Sequence, residues 1–292
     1  MEALKDCLGK LLPLTSRGRG TVLESPPAAP EMPEKPDRRT QTLKIMSYNV
    51  LCRMGGEYGL ARRYNGVLRT ILGEMPDSIG LQEAHELWKG PLKRDLKAHY
   101  AMACGHGRLF GVHEAMPVFY LKEKYQAVRQ GWFWLSQRPG ISSIGWDASC
   151  PRICGWVVLR DKKTGFTYAH FNTHLDHKGP IAMANGARLV AGRINAMGLP
   201  AVLTGDLNEV PGSRPMQYLE AGGLVDLRFA AKKSDEGPTF HGYDDKDLKA
   251  IDYVYANGYL REAAEFKVMQ DRYDGIYPSD HWAVCGKLVL AN

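Results

Sequence analysis

The chain has 292 residues, 38 Lys and Arg against 32 Asp and Glu, and 44% hydrophobic residues. That balance excludes wholesale disorder, and no apolar run reaches the ~18 residues that a membrane span needs. A net charge of +6 suits an anionic substrate, but without a long basic block it grips duplex nucleic acid weakly. Six cysteines are too few for a disulfide scaffold, so a cytoplasmic monomer with no membrane insertion is expected. Cys150 and Cys154 have no second pair and predict no structural zinc site.

Residues Met1 to Leu14 carry Leu4, Leu8, Leu11 and Leu12, a stripe that fits one short helix. Thr15 to Gln41 contains Pro26, Pro27, Pro30, Pro33 and Pro36 among charged and small residues, the composition of an extended linker. The reading is therefore an N-terminal segment over 1–41 and one α/β-type (α+β) domain over 42–292. Strands are predicted at Thr42–Val50, Ser78–Leu81, Met116–Leu121, Ile153–Arg160, Phe166–Thr173, Ala201–Thr204, Ile251–Ala256 and Ala283–Leu290. Helices are predicted at Ala61–Glu74, Ile181–Met197 and Met216–Glu220. In the second helix Met183, Ala187, Val190, Ile194 and Met197 form one apolar face.

The polar residues fall at strand ends. Asn49, Glu83, Asn172, His174, Asp206 and Asn208 stand at or just beyond the C-terminal ends of four strands, whereas Asp252, Asp280 and His281 stand at the starts of two others. If those two strands run antiparallel to the first four, all these side chains share one rim, where a rigid scaffold presents its chemistry.

Two carboxylates about 4 Å apart repel by roughly 4 kcal/mol at an effective dielectric near 20. Gathering Glu83, Asp206, Asp252 and Asp280 therefore calls for a cation or shared protons. The donors are oxygens and neutral amides, which select Mg²⁺ or Mn²⁺ over zinc. His170 and His174, about 13 Å apart along a strand, cannot share a zinc ion. No nucleophile elbow, phosphate loop, H-E-x-x-H or dinucleotide fingerprint is present.

The blocks SYNV (Ser47–Val50), LQE (Leu81–Glu83), FNTHLDH (Phe171–His177), TGDLN (Thr204–Asn208), IDYV (Ile251–Val254) and SDHWAV (Ser279–Val284) occur in this order over the whole domain. In that order they resemble the endonuclease/exonuclease/phosphatase superfamily, the deoxyribonuclease I-like fold. The resemblance implies a four-layer αββα sandwich of two mixed sheets flanked by helices, and metal-dependent cleavage of phosphate esters. It implies that Glu83, Asn49 and Asp280 surround the metal and that Asp206 deprotonates or orients the attacking water. Asn208 would position that water or the phosphate, His281 paired with Asp252 would hold a phosphate oxygen, and His174 and Asn172 would do likewise.

The start after Asn49 departs from the abasic-site endonuclease pattern. The segments EAMPVFYLK (Glu114–Lys122), GWDASCPRICGWVVL (Gly145–Leu159) and GDLNEVPGS (Gly205–Ser213) resemble a bacterial hydrolase branch related to deadenylases and sphingomyelinases. In that branch Glu114, Tyr120 and Arg152 would lie near the substrate; a half-buried strand aromatic is the plain alternative for Tyr120. The expected reaction is phosphodiester hydrolysis of a nucleic acid, nucleotide or phospholipid headgroup, with a sugar or inositol phosphomonoester or a catalytically silent binding module as alternatives. Gly131–Leu135 reads as an aromatic strand packing between sheets in preference to a base-stacking platform. Arg62, Arg63 and Arg69 read as a solvated helix face.

Overall fold

The structure, a computed structural model, describes residues 39–109, 112–244 and 246–292. The expected helix at Leu4–Leu12 and the proline-rich linker lie outside the described residues, as do the side chains of His113 and Glu114. In one sheet β1 (Thr40–Asn49) runs parallel to β2 (Ser78–Gln82) and antiparallel to β13 (Ala283–Ala291). β4 (Val112–Leu121) and β3 (Tyr100–Leu109) extend this seven-stranded sheet on one side, with β12 (Leu260–Met269) and β10 (Lys233–Ser234) on the other. The six-stranded sheet has the order β5 (Tyr125–Trp134), β6 (Ile153–Asp161), β7 (Thr167–His174), β8 (Ala201–Asp206), β11 (Asp252–Ala256) and β9 (Val225–Asp226).

Side-chain alternation along the strands builds the layers. Leu43 and Ile45 of β1 enter the central core with Val157, Tyr168, Val202 and Val254 of the other sheet. Met46 and Tyr48 turn outward to Val67 and Ile71 of α1 (Leu60–Glu74) and to Trp88 and Leu92 of α2 (Glu86–Asp95). On the far side Phe171, Leu203 and Tyr255 pack beneath α3 (Pro180–Met197) and α4 (Arg214–Ala221), where Ala187, Val190 and Ile194 supply the predicted apolar face. A single turn, α5 (Leu227–Ala230), follows β9. The result is the four-layer αββα sandwich.

Every element predicted within residues 42–292 is present with shifted ends, and among the described residues seven elements were not predicted: α2, β3, β5 as a full strand, β9, α5, β10 and β12. The aromatic run lies at the end of β5, where Trp134 packs on Met116 and Ile153, whereas Phe133 faces the α3 side.

Candidate active site

Strand register assembles the rim. Asp206, the last residue of β8, stands directly opposite His174 of parallel β7 and Asp252 of antiparallel β11. In the other sheet Asn49 pairs with Gln82, which places Glu83 beside it. Because β13 is antiparallel to β1, the segment Ser279–His281 before it returns to the same edge. The condition for a shared rim is met.

Asp206 joins the two sheets. Its Oδ2 accepts from Asn49 Nδ2 at 2.9 Å and lies 3.3 Å from His174 Nε2 and 3.6 Å from His281 Nε2. Its Oδ1 accepts from the Asn208 backbone N–H at 2.9 Å, while the Asn208 side-chain amide donates to Leu175 O at 3.0 Å. His281 Nδ1 lies 2.9 Å from Asp252 Oδ2, the oxygen that also takes the Thr239 hydroxyl at 2.6 Å. Asp252 Oδ1 is buried with no hydrogen-bond partner.

Glu83 forms a second corner. Its Oε1 accepts from Asn49 Nδ2 at 3.2 Å and its Oε2 from the Cys52 N–H at 2.7 Å. Ser279 ties Asp280 to this corner, donating to Asn49 O at 2.7 Å and lying 3.3 Å from Asp280 Oδ1. Leu51, Glu83 and Asn208 hold φ of 54°, 58° and 54°, a left-handed conformation that costs a non-glycine residue energy and collects at functional sites.

Burial would raise the Glu83 carboxyl, but the Cys52 and Asn49 donors outweigh it and hold the group below its ordinary range. Burial pushes Asp206 up to about 7, with Asp252 adding to the rise and His281 opposing it. Burial and the Glu83 charge raise Asp280 against the pull of His281 and Arg63. For His281 burial favours the neutral ring, yet Asp252 and Asp206 overcome it and hold the imidazolium well above its ordinary range. His174 goes the other way: burial, with Arg152, His281, His177 and His85 nearby, keeps it neutral.

Two donor sets can hold a cation. Asp206, Asp252 and His281 each offer one ligand atom within 4.8 Å of the others, but there the imidazolium already balances the two carboxylates. Glu83 and Asp280 form an acidic corner beside Asn49, whose Nδ2 faces Glu83 and whose Oδ1 takes the Leu51 N–H, and there the Glu83 charge raises the cost of ionising Asp280. That donor chemistry fits a hard divalent ion.

The rim thus gathers Asn49, Glu83, His174, Asp206, Asn208, Asp252, Asp280 and His281. Arg152 is also brought there, with Nη2 3.4 Å from His177 Nδ1 and its buried Nε without a partner. Asn172 lies deeper, between the sheets: it accepts from Gln82 Nε2 at 2.7 Å and donates to Leu81 O and Pro117 O at 2.8 and 3.2 Å. Its amide is spent, so it supports the rim from below. His170 is likewise spent on Ser78 and Thr204, and burial lowers it to about 3.

Tyr120 is not brought to the rim. It stands opposite Ser78, at the other end of β2 from Glu83, packed on the central core; antiparallel pairing carries it away. Arg63 also corrects the solvated-face reading, being 1% exposed, whereas Arg62 is exposed. Thr239, Ser279 and the Cys52 N–H were not foreseen, because ordinary hydroxyls and backbone amides carry no motif signal.

The chain matches the model of the Endonuclease/Exonuclease/phosphatase family over residues 46–281. No curated protein matches it significantly. Among solved structures it is similar to an endonuclease/exonuclease/phosphatase family protein of Bacteroides thetaiotaomicron, at 29% identity and TM-score 0.78, covering 86% of this chain and 99% of that one. A mannosyl-6-phosphatase of the same organism gives 30% identity and TM-score 0.75, covering 84% and 99%. The human Nocturnin catalytic domain, at 15% identity and TM-score 0.65 over 87% and 97%, shares the fold. The sandwich, the rim and the family match over most of the domain lead to one conclusion: this chain belongs to the endonuclease/exonuclease/phosphatase family.

Proposed function

We propose that the chain is a Mg²⁺- or Mn²⁺-dependent phosphoester hydrolase that directs water in line at phosphorus. The observation that carries this is Asp206, which accepts from Asn49 of the other sheet and stands opposite His174 and Asp252 in its own. Glu83, Asp280 and Asn49 would hold the ion, which when bound neutralises charge on the phosphate oxygens. Asp206, pushed up to about 7, accepts in its ionised form the proton of the attacking water. His281, kept charged by Asp252, donates through Nε2 to a phosphate oxygen as negative charge builds there. Neutral His174 orients Asp206, Asn208 fixes its other oxygen, and Arg152 offers unspent guanidinium donors to the substrate.

Between ester types, the phosphodiester reading rests on charge economy, because a dianionic monoester calls for more fixed cations than Arg152 alone. A sugar phosphomonoester is the second reading. The 30% identity to a mannosyl-6-phosphatase favours it. Turnover of bis-p-nitrophenyl phosphate, p-nitrophenyl phosphate, mannose 6-phosphate, single-stranded oligonucleotide, duplex DNA and sphingomyelin, each with Mg²⁺, Mn²⁺ and chelator, tests both. Diester or single-strand cleavage lost in chelator supports the first reading, and faster mannose 6-phosphate turnover selects the second. Metal binding without turnover of any ester would leave a binding module.

A further inference from the structure

Arg63 is fully buried and spends all five of its N–H donors on backbone carbonyls. Nε donates to Tyr58 O at 2.6 Å, Nη1 to Val50 O and Pro278 O at 2.7 and 2.8 Å, and Nη2 to Leu51 O and Arg53 O at 2.8 and 3.2 Å. Among the described residues it makes no ion pair with a carboxylate. Its guanidinium lies 5.3 Å from the centroid of the Trp88 ring, and Trp88 Nε1 itself donates to Leu51 O at 3.0 Å.

Three of these carbonyls, those of Val50, Leu51 and Arg53, belong to the turn that follows Asn49. That turn, reversed at Leu51, aims its carbonyls at Arg63 and its amides inward. Leu51 N–H donates to Asn49 Oδ1 at 3.0 Å and Cys52 N–H to Glu83 Oε2 at 2.7 Å. Successive amides turned inward in this way form a cradle for negative charge. The fifth bond, to Pro278 O, reaches the other side of the corner, just before Ser279 and Asp280. One helical turn beyond Arg63, a Cβ on Gly66 would come within 2.9 Å of Pro278 Cγ, so α1 seats the same loop tightly.

We propose that Arg63 is the positioning residue of the Glu83–Asn49–Asp280 corner, clamping both loops so that their donors meet the oxygens expected to hold the metal. A lysine keeps the charge but offers three donors from one point and cannot bridge five carbonyls. The proposal rests on the metal reading above.

The test is isothermal titration of Mn²⁺ into the full chain, with thermal melting and kcat and KM measured beside it. Arg63→Lys and Arg63→Met are expected to bind Mn²⁺ about 10- to 100-fold more weakly, the usual effect of removing an outer partner of a ligand. Excess Mn²⁺ should restore much of kcat with KM unchanged, and the exposed-residue control Arg62→Met should match wild type. Trp88→Phe, which removes the donor to Leu51 O and half of the buried ring system beside the guanidinium, should weaken Mn²⁺ binding in the same direction and decides the matter if the Arg63 variants do not fold. Unchanged Mn²⁺ affinity in Arg63→Lys, or in Trp88→Phe where that variant decides, overturns the Arg63 proposal alone. Wild-type protein that binds no Mn²⁺ overturns the metal reading and this proposal with it.

Discussion

The Nδ1 of His281 lies 2.9 Å from Asp252 Oδ2, and that one contact decides where the other ring nitrogen points. With Thr239 pinning the same carboxylate oxygen at 2.6 Å, the ring cannot swing away from Asp252, so Nε2 faces Asp206 across 3.6 Å. The charges of Asp252 and Asp206 stabilise the positive ring against the cost of its burial. The pair is thus a link between folding and catalysis.

In chelator, where no metal competes, Asp252→Asn should destabilise the protein in a pH-dependent way. The folded value of His281 is raised, so its stabilising contribution is full below the unfolded value near about 6.5 and is lost as pH rises through the folded one. The melting-temperature gap between wild type and Asp252→Asn should be widest below the unfolded value, about 6.5, and should close as pH rises through the raised folded value of His281. A constant gap would show that Asp252 acts only through packing.

Glu83 tests the cation requirement. At its φ of 58°, Glu83→Gln is a closer probe than alanine because the side-chain length is kept, with one of the two oxygens that accept from Asn49 Nδ2 and the Cys52 N–H replaced by an amide donor. The variant should fold, melt in chelator below wild type because the donors that hold the Glu83 carboxyl below its ordinary range lose their charged acceptor, and lose nearly all metal-dependent turnover. Full activity of Glu83→Gln in chelator would falsify the metal reading.

Asp206→Asn keeps the shape but cannot take a proton, and His281→Gln removes the charged donor. Each should lower kcat by about 10²- to 10⁴-fold at saturating substrate and metal. A change confined to KM would instead assign both residues to ground-state binding.

What the sequence makes legible is the edge. A strand buried on both faces reads as an apolar run, so a polar residue at its end stands out, as Asn49, His174 and Asp206 do. Local chemistry hides the missed elements. Glu86–Asp95 carries Gly90 and Pro91 inside a helix, both helix breakers. Leu260–Met269 is built of Arg, Glu, Ala and Lys, helix formers by propensity, yet pairing with β13 overrides them. Arg63 looks like Arg62 in sequence; only the loops that fold over it turn one into a clamp.

We propose that the domain starts before Thr42. Arg39 Nη1 donates to Thr164 O at 2.6 Å, β1 begins at Thr40 opposite Ala291, and Gln41 Nε2 donates to Asp161 Oδ2 at 3.2 Å. We propose that deleting residues 1–38 leaves melting temperature and kcat at wild-type values. Deletion through Gln41 should lower the melting temperature by about 3–6 °C, for hydrogen bonds worth about 1 kcal/mol each. Equal melting of the two truncations would move the boundary back to Thr42.

Gly80 sets the distance between the sheets beneath the rim. It lies in β2 between Ser78 and Gln82, and by strand alternation all three point into the gap. A Cβ there would run into Thr204 Oγ1 and come within 2.5 Å of Asn172 Oδ1. Those atoms belong to the chain of hydrogen bonds Gln82–Asn172–Thr204–His170 that joins the sheets. Gly80→Ala must therefore push β2 away from β7 and β8 or break that chain, at a cost of about 1–3 kcal/mol for overpacking. The same displacement would stretch the 2.9 Å bond from Asn49 to Asp206, which ties the proposed metal corner to the proposed proton acceptor. Gly80→Ala should thus lower both melting temperature and kcat, and excess Mn²⁺ should restore neither. If the variant melts lower but keeps wild-type kcat, the sheets bend locally and the rim geometry does not depend on their spacing at Gly80.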